Sequence, residues 1–434
     1  MYENISIWQE DFSLPAFPSL QGDLKTDVLI IGGGLAGILT AFFLQNKGVD
    51  YMLVEGKRIF SGTSGATTAK ITFQHGLIYD KLYKTLGHEQ CQMYLNANKR
   101  ALEEYKRLCK QIDCDFEEKD NYVYSVKDRS VLEREVDSLN RIGYKALFCE
   151  RLPLPIKTKG GVCFKNQAQF NPVKFVKAIA QPLNIYENTF IKSMVGNTAI
   201  YDKGKIQAQK IIVTTHFPFI NKHGSYFLKL YQHRSYVAAL KGAEDINGMF
   251  VDENKKGLSF RTYGDLLLLG GGGHRTGKQG GSYHELVSFA SKHYPQSHIV
   301  QKWAAQDCMS LDSMPYIGQY SKQTPNLYTA CGFNKWGMTS AMVSAMILSD
   351  LVCGKHSEFA HLFSPSRNIL KSQLLVNGFE SASGLITLSP KRCPHLGCAL
   401  KWNKAEHSWD CSCHGSRFSE NGKLLNNPAN ADLK

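Results

Sequence analysis

Apolar and polar positions change rhythm several times along the chain, and each change marks an element. Val28–Ile31 is an unbroken apolar run, the length of a strand buried on both faces. From Leu35 the apolar positions (Ile38, Leu39, Phe42, Phe43) recur at helical spacing until Gly48 stops them, and Val49–Val54 reads as a second strand. Residues 80–142 are strongly charged and predict a helical insertion. Around 160–182 the pattern predicts a turn-bounded strand and then a helix opening at Asn171, with Pro172 in its first turn. Ile185–Pro218 alternates like short strands, and Ser235–Leu240 and Gly264–Gly270 predict further strands. Near the end, Leu327–Ala330 is a strand, Gly332 to Gly337 a turn, and a long apolar helix starts at Met338. The lead-in, residues 1–25, carries Trp8, Phe12 and Phe17.

Chemistry enters at the first strand–helix turn. Gly32, Gly34 and Gly37 have G-x-G-x-x-G spacing, and Glu55 follows the second strand eighteen residues after Gly37. Such glycines give a tight turn, bare backbone beside a pyrophosphate and close helix packing, while an acid in this register meets ribose hydroxyls. Dinucleotide binding is the reading preferred over a bland glycine-rich turn. In Ser61–Gly76 the hydroxyls of Thr63, Ser64, Thr67 and Thr68 can reach phosphates or ring edges, although an ordinary loop reads equally well. A second glycine cluster, Gly271, Gly273 and Gly277, is rejected as a nicotinamide site because no helix N-terminus waits beside it. The late turn before Met338 does place a helix N-terminus where it could stabilise negative charge on a reduced ring system.

With 434 residues, two or three domains are expected. Hydrophobic and charged contents of 43% and 21% are those of a globular protein, and no run is long enough to span a membrane. An early acid and the lack of an apolar leader point to the cytoplasm. The net charge of +13 would suit an acidic partner or an anionic membrane surface, but the lysines are spread along the chain, which favours a solvated basic surface; no nucleic-acid partner is expected. Eight cysteines are scattered singly, but Cys393, Cys398, Cys411 and Cys413 lie close together. Cys393-x-His395 and Cys411-x-x-His414, fifteen residues apart, could make a tetrahedral zinc site.

Residues 26–355 resemble the D-amino-acid oxidase and glycine oxidase class of FAD-dependent oxidoreductases. The resemblance rests on IIGGGLAG with Glu55, on Asp312, Pro315, Ile317 and Gly318, and on NLYTACGFNKWGMT. It implies an α/β architecture, with a Rossmann-like FAD-binding domain and a mixed-sheet substrate domain. By the same resemblance Gly32, Gly34, Gly37 and Glu55 bind ADP, joined by Thr63 and Ser64, and Gly332, Gly337 and Met338 lie near the flavin ring. FAD-binding parts would fall near 25–80, 160–220 and 305–355, and substrate parts near 80–160 and 220–300, the domain ending at 365. Some relatives tether flavin through cysteine, and Cys308 is the position for it, although a buried thiol is the commoner finding.

The C-terminal pattern, each ligand pair with its own flanking Cys and Gly, resembles a Rieske [2Fe-2S] domain, a small all-β module placed at 366–434. There Cys393 and Cys411 would bind one iron, His395 and His414 the other, and Cys398 and Cys413 would form a disulfide. Ser416 matches the residue that donates to a cluster sulfide in high-potential members, while Phe418 stands where they have tyrosine. The expected function is oxidation of a small substrate, an amine or amino acid by analogy. Electrons would pass from flavin to cluster to an unidentified protein or quinone acceptor. The alternative is an electron-relay or redox-sensing protein without turnover. Arg234, Arg261 and Arg275, in or beside predicted substrate-side strands, are the candidate carboxylate binders; surface arginines are the bland alternative.

Overall fold

The computed structural model describes residues 5–9, 14–254 and 256–433; Phe12 lies outside them. Among the described residues the strands form three sheets. The first has eight strands around a parallel core ordered Leu327–Cys331, Gly204–Val213, Leu24–Ile31, Tyr51–Val54 and Ile185–Tyr186. Ile30 sits level with Ile212 on one side and Leu53 on the other, all three fully buried. An unbroken apolar strand needs cover on both faces. One face receives helices Leu35–Asn46 and Gly337–Val352, which pack on each other and bury Ile38, Leu39, Met342 and Leu348 in one core. Leu29, Ile31, Met52 and Val54 bury the opposite face.

The second sheet has nine strands and is mixed. Its order is His298–Ser310, Leu230–Lys241, Leu266–Arg275, Ser259–Tyr263, Met249–Asp252, Glu117–Tyr124, Gly161–Gln169 and Lys70–Ile71, with Leu147–Cys149 also on Gly161–Gln169. Met249–Asp252 runs parallel to Glu117–Tyr124; the other pairs are antiparallel. Two expectations need correction here. Glu117–Tyr124 interrupts the expected helical insertion, whose helices are Ile78–Leu86, His88–Cys109 and Ser130–Arg141. Gly161–Gln169, expected with the nucleotide-binding part, belongs to this second sheet. Both strands are set by partners far away in sequence, which local periodicity does not register.

The third sheet is a four-stranded meander, Leu400–Asn403, Ser408–Cys411, Arg417–Ser419 and Leu424–Asn426. Helix Ser372–Ile386 precedes it. The crossing between modules is pinned. Arg367 grips both carboxylate oxygens of Asp312 at 2.7 and 2.8 Å and the carbonyls of Met314 and Pro315 at 2.7 and 2.8 Å. Among the described residues no helix is long and apolar enough to cross a membrane.

Candidate functional site

The first strand delivers the chain into a turn that tolerates no side chain at Gly37, where a Cβ would overlap the carbonyl oxygen of Gly32. That contact draws helix Leu35–Asn46 hard against the strand end. Ser64 Oγ accepts from the first helical amide, Leu35 N, at 3.0 Å, so the loop after the second strand closes over the helix N-terminus. Glu55 accepts from Gly33 N at 2.7 Å and Lys57 N at 2.8 Å. Burial pushes its carboxyl up, and the two amides partly oppose this. Gly32, Gly34, Glu55, Thr63 and Ser64 all line one cavity of about 890 Å³.

The same cavity reaches the N-terminus of helix Gly337–Val352, where Gly332, Gly337 and Met338 line it. The approach turn is held by Asn334, whose amide donates to Gly332 O at 2.6 Å and Ser310 Oγ at 3.0 Å. Behind it the His75 ring stacks on Trp336, with centroids 5.1 Å apart, and its nitrogens meet Tyr94 Oη at 2.7 Å and Thr339 Oγ1 at 2.8 Å. Burial lowers the His75 pKa to about 3, so it is a neutral wall group. Lys70 stands on the wall with Nζ donating to Thr68 Oγ1 at 3.2 Å; burial, with Arg261 nearby, lowers its pKa to about 7. Cys308 also lines the cavity, its thiol pushed well up by burial. Two helix N-termini, bare backbone and flanking hydroxyls in one cavity suit an anionic dinucleotide with a flat ring system.

The C-terminal sheet carries two matching loops. Gly397 N donates to Cys393 O at 2.9 Å, and Gly415 N to Cys411 O at 3.0 Å. Each glycine has positive φ, 78° and 86°. The two loops bring Cys393 and Cys411 together, and the hydrogen bond from Cys411 pulls the Cys393 thiol down, helped by Ser416 and the His395 and Leu396 amides. His395 and His414 face each other with ring centroids 4.9 Å apart. Nδ1 of each is buried without a hydrogen-bond partner. Burial lowers the His395 pKa to about 4 and that of His414 to about 3, leaving neutral rings with free lone pairs. Orphaned nitrogens beside paired thiols fit a two-Cys, two-His cluster. The sulfurs of Cys398 and Cys413 are at bonding distance as a disulfide. Cys398, Cys411 and Cys413 also lie within 4.8 Å of one another, but two of those sulfurs are committed to the disulfide.

The cluster module and the cavity share a wall. Gln306 accepts from Thr63 Oγ1 through its main-chain oxygen at 2.8 Å and donates its side-chain amide to Gly415 O at 2.8 Å. Asn427, which lines the cavity, takes Gln232 Nε2 on its carbonyl at 3.1 Å and donates to Phe217 O at 2.7 Å. His395 Nε2 meets Asn221 Oδ1 at 2.9 Å, and Phe217 and Phe227 present edges to His414.

The three candidate arginines all have protein partners and are at least largely buried, two of them at this interface, and Arg234 also lines the cavity. Arg234 pairs with Glu406 of the cluster module, 3.0 Å for Nε to Oε1, and Arg417 reaches the same carboxylate at 2.9 Å. Burial alone would raise the Glu406 pKa, but Arg234 and Arg417 hold it down to about 2. Arg275 donates to the carbonyls of Ser412 and Cys413, both at 3.3 Å, lying over the Tyr231 ring. Arg261, fully buried, donates to the carbonyls of Thr68, Ala69 and Phe170. Sequence reasoning missed Gln232, Gln306, Asn427 and Glu406 altogether. No motif marks them, because each acts on a partner over a hundred residues away.

Comparison with known proteins bears on both modules. The model of the family "FAD dependent oxidoreductase" matches residues 27–351, and that of the "Rieske [2Fe-2S] domain" matches 353–434. The putative Rieske 2Fe-2S iron-sulfur protein YhfW of Bacillus subtilis (strain 168) is 33% identical, covering 98% of this chain and 96% of that one. Gamma-glutamylputrescine oxidoreductase of Escherichia coli (strain K12) is 23% identical over 79% of this chain and 87% of its own. Glycine oxidase from Geobacillus kaustophilus superposes with a TM-score of 0.66 at 18% identity, covering 80% of this chain and 99% of that structure.

Proposed function

The chain belongs to the FAD-dependent oxidoreductase family and carries a C-terminal Rieske [2Fe-2S] domain; from that premise we propose that it oxidises a small amine or amino acid and delivers the electrons through the cluster to a separate acceptor. Bound FAD supplies two-electron acceptance from the substrate, and the cluster supplies one-electron transfer. In this reading Gly32, Gly34, Gly37 and Glu55 hold the ADP part, with Thr63 and Ser64 along it. Gly332, Gly337 and Met338 lie beside the ring. Cys393 and Cys411 hold one iron, and His395 and His414 the other.

The observation that carries the proposal is Gln306, a single residue that bonds both the cavity loop at Thr63 and the cluster loop at Gly415. A cluster serving some other partner would have no reason to be fastened to the cavity wall. Substrate chemistry is supported by Lys70. An amine must shed its proton before it is oxidised, and a wall lysine with a pKa near 7 can take that proton at neutral pH. The names of the relatives, a glycine oxidase and an oxidoreductase of gamma-glutamylputrescine, point to the same class of donor.

The relay reading, without turnover, is favoured by one observation: Arg261 and Arg275 lie outside the cavity lining, and Arg234, which is part of that lining, spends its Nε and Nη2 on Glu406. Anaerobic titration of the purified protein with a panel of amines and amino acids separates the two. Bleaching of flavin absorbance followed by a reduced-cluster EPR signal is expected with at least one substrate. Flavin that stays oxidised across the panel, yet exchanges electrons with the cluster on chemical reduction, would favour the relay.

A further inference from the structure

Helix Ser372–Ile386 is seated with its polar side inward. Asn377, 1% exposed, receives Arg275 Nη1 at 3.1 Å and donates to Leu228 O at 3.1 Å. Glu380 pairs with Lys278 at 2.8 Å. Gly384 lies on the Cys398–Cys413 disulfide, where a Cβ would overlap the Cys413 sulfur. The opposite face carries Leu375, Phe379, Ala382 and Ile386 at helical spacing, with exposures of 77%, 73% and 81% for Leu375, Phe379 and Ile386. The stripe continues through Leu388, 93% exposed, to Leu396, which follows His395 in the cluster loop. Arg392 staples the two together, donating from Nη1 to Leu385 O at 3.0 Å and Gly397 O at 3.2 Å. An amphipathic helix turned this way round leaves its apolar stripe without a partner in the described chain.

The charges around the stripe point to one kind of partner. Lys371, Lys391, Arg392, Lys401 and Lys404 surround it in sequence, and the one acid between Arg367 and Lys404, Glu380, faces inward in its ion pair. A single helix with such exposed side chains is a ridge. Ridges of apolar residues rimmed by cations enter the boundary between headgroups and acyl chains of an anionic bilayer. A protein partner would need a matching groove, and its acids would have to meet the rim. We propose that this face rests on an anionic phospholipid bilayer, with Leu375, Phe379, Ile386 and Leu388 in the acyl boundary. The cluster loop Cys393–Cys398 is thereby brought to the membrane surface.

The test uses the full-length holoprotein and is read without turnover, so its failure leaves the oxidoreductase reading untouched. Sedimentation with vesicles of phosphatidylglycerol and phosphatidylcholine is compared with phosphatidylcholine alone, and light scattering gives the mass in solution. The protein is expected to pellet with the anionic vesicles and to do so less at high salt. The double variant Leu375→Ser, Phe379→Ser is expected to bind at least tenfold more weakly with flavin and cluster absorbance unchanged. Protein that stays in the supernatant with anionic vesicles overturns the proposal, as does a double variant that binds like the parent. A dimer in solution that Phe379→Asp converts to monomer assigns the face to a second copy instead, and also overturns it.

Discussion

The nucleotide end of the cavity and the cluster module solve the same problem, holding a cofactor rigidly, from opposite resources. The first rests on a parallel sheet buried on both faces, each face in its own apolar core among the described residues. The second has a core cluster of seven buried apolar residues, four of them cysteines. So small a core cannot stabilise a module alone. It relies on the disulfide, on its cluster, and on a buried charged clamp to the second sheet. The difference teaches where each part is fragile: the cradle to steric change at its glycines, the module to loss of polar partners.

The sharpest way to break the comparison is to empty one end and read the other. Cys411→Ala is expected to abolish the reduced-cluster EPR signal while the flavin spectrum stays, since Cys411 is not part of the cavity lining. Iron content and absorbance report both at once; zinc in place of iron in the parent protein would overturn the cluster assignment. Gly34→Glu is expected to do the reverse. A carboxylate at the helix N-cap, where the pyrophosphate would lie, repels it and blocks its approach, and purified variant should lose bound FAD yet keep its cluster.

Next in size is the clamp. Glu406→Gln leaves Arg234 and Arg417 buried without their carboxylate, a loss on the order of 3–5 kcal/mol at the interface. Limited proteolysis after Lys371 or Arg367 should release the module more readily, with flavin retained. The same group gives a pH dependence. Its folded pKa, about 2, lies below the unfolded value, so its contribution is fully present above roughly pH 4.3. It is lost as pH falls through the folded value, by ~3 kcal/mol. Acid denaturation followed separately by flavin release and cluster bleaching should show the cluster signal changing in that window, and the Glu406→Gln variant should lose that feature.

Removing the disulfide in Cys398→Ser, Cys413→Ser opens a link with sequence separation 15, worth ~3 kcal/mol in chain entropy. The expected outcome is a lower cluster melting temperature with the flavin transition unmoved. The smallest effect concerns Phe418, fully buried in the module. Hydrogen bonds to cluster sulfurs favour the reduced, more negative state, so Phe418→Tyr is expected to raise the potential in protein-film voltammetry. An unchanged or lowered value would count against a tyrosine hydroxyl reaching the sulfurs from this position.

What the sequence determined alone was the local pattern. Gly32, Gly34 and Gly37 with Glu55, and the Cys393–His395 and Cys411–His414 pairs, could be read because turn, helix start and ligand spacing are encoded within a few dozen residues. The strand before the first glycine turn was legible for the same reason, since burial on both faces needs an unbroken apolar run. Tertiary structure decided the rest. Glu117–Tyr124 is a strand only because Gly161–Gln169 and Met249–Asp252 lie beside it. For Arg234, Arg261 and Arg275 the sequence left a substrate carboxylate or open surface equally open; the fold placed Glu406, two cluster-loop carbonyls and three backbone carbonyls against them. A side chain's type sets what it can bond. Which partner it meets depends on contacts between residues hundreds of positions apart, and no local pattern carries that information.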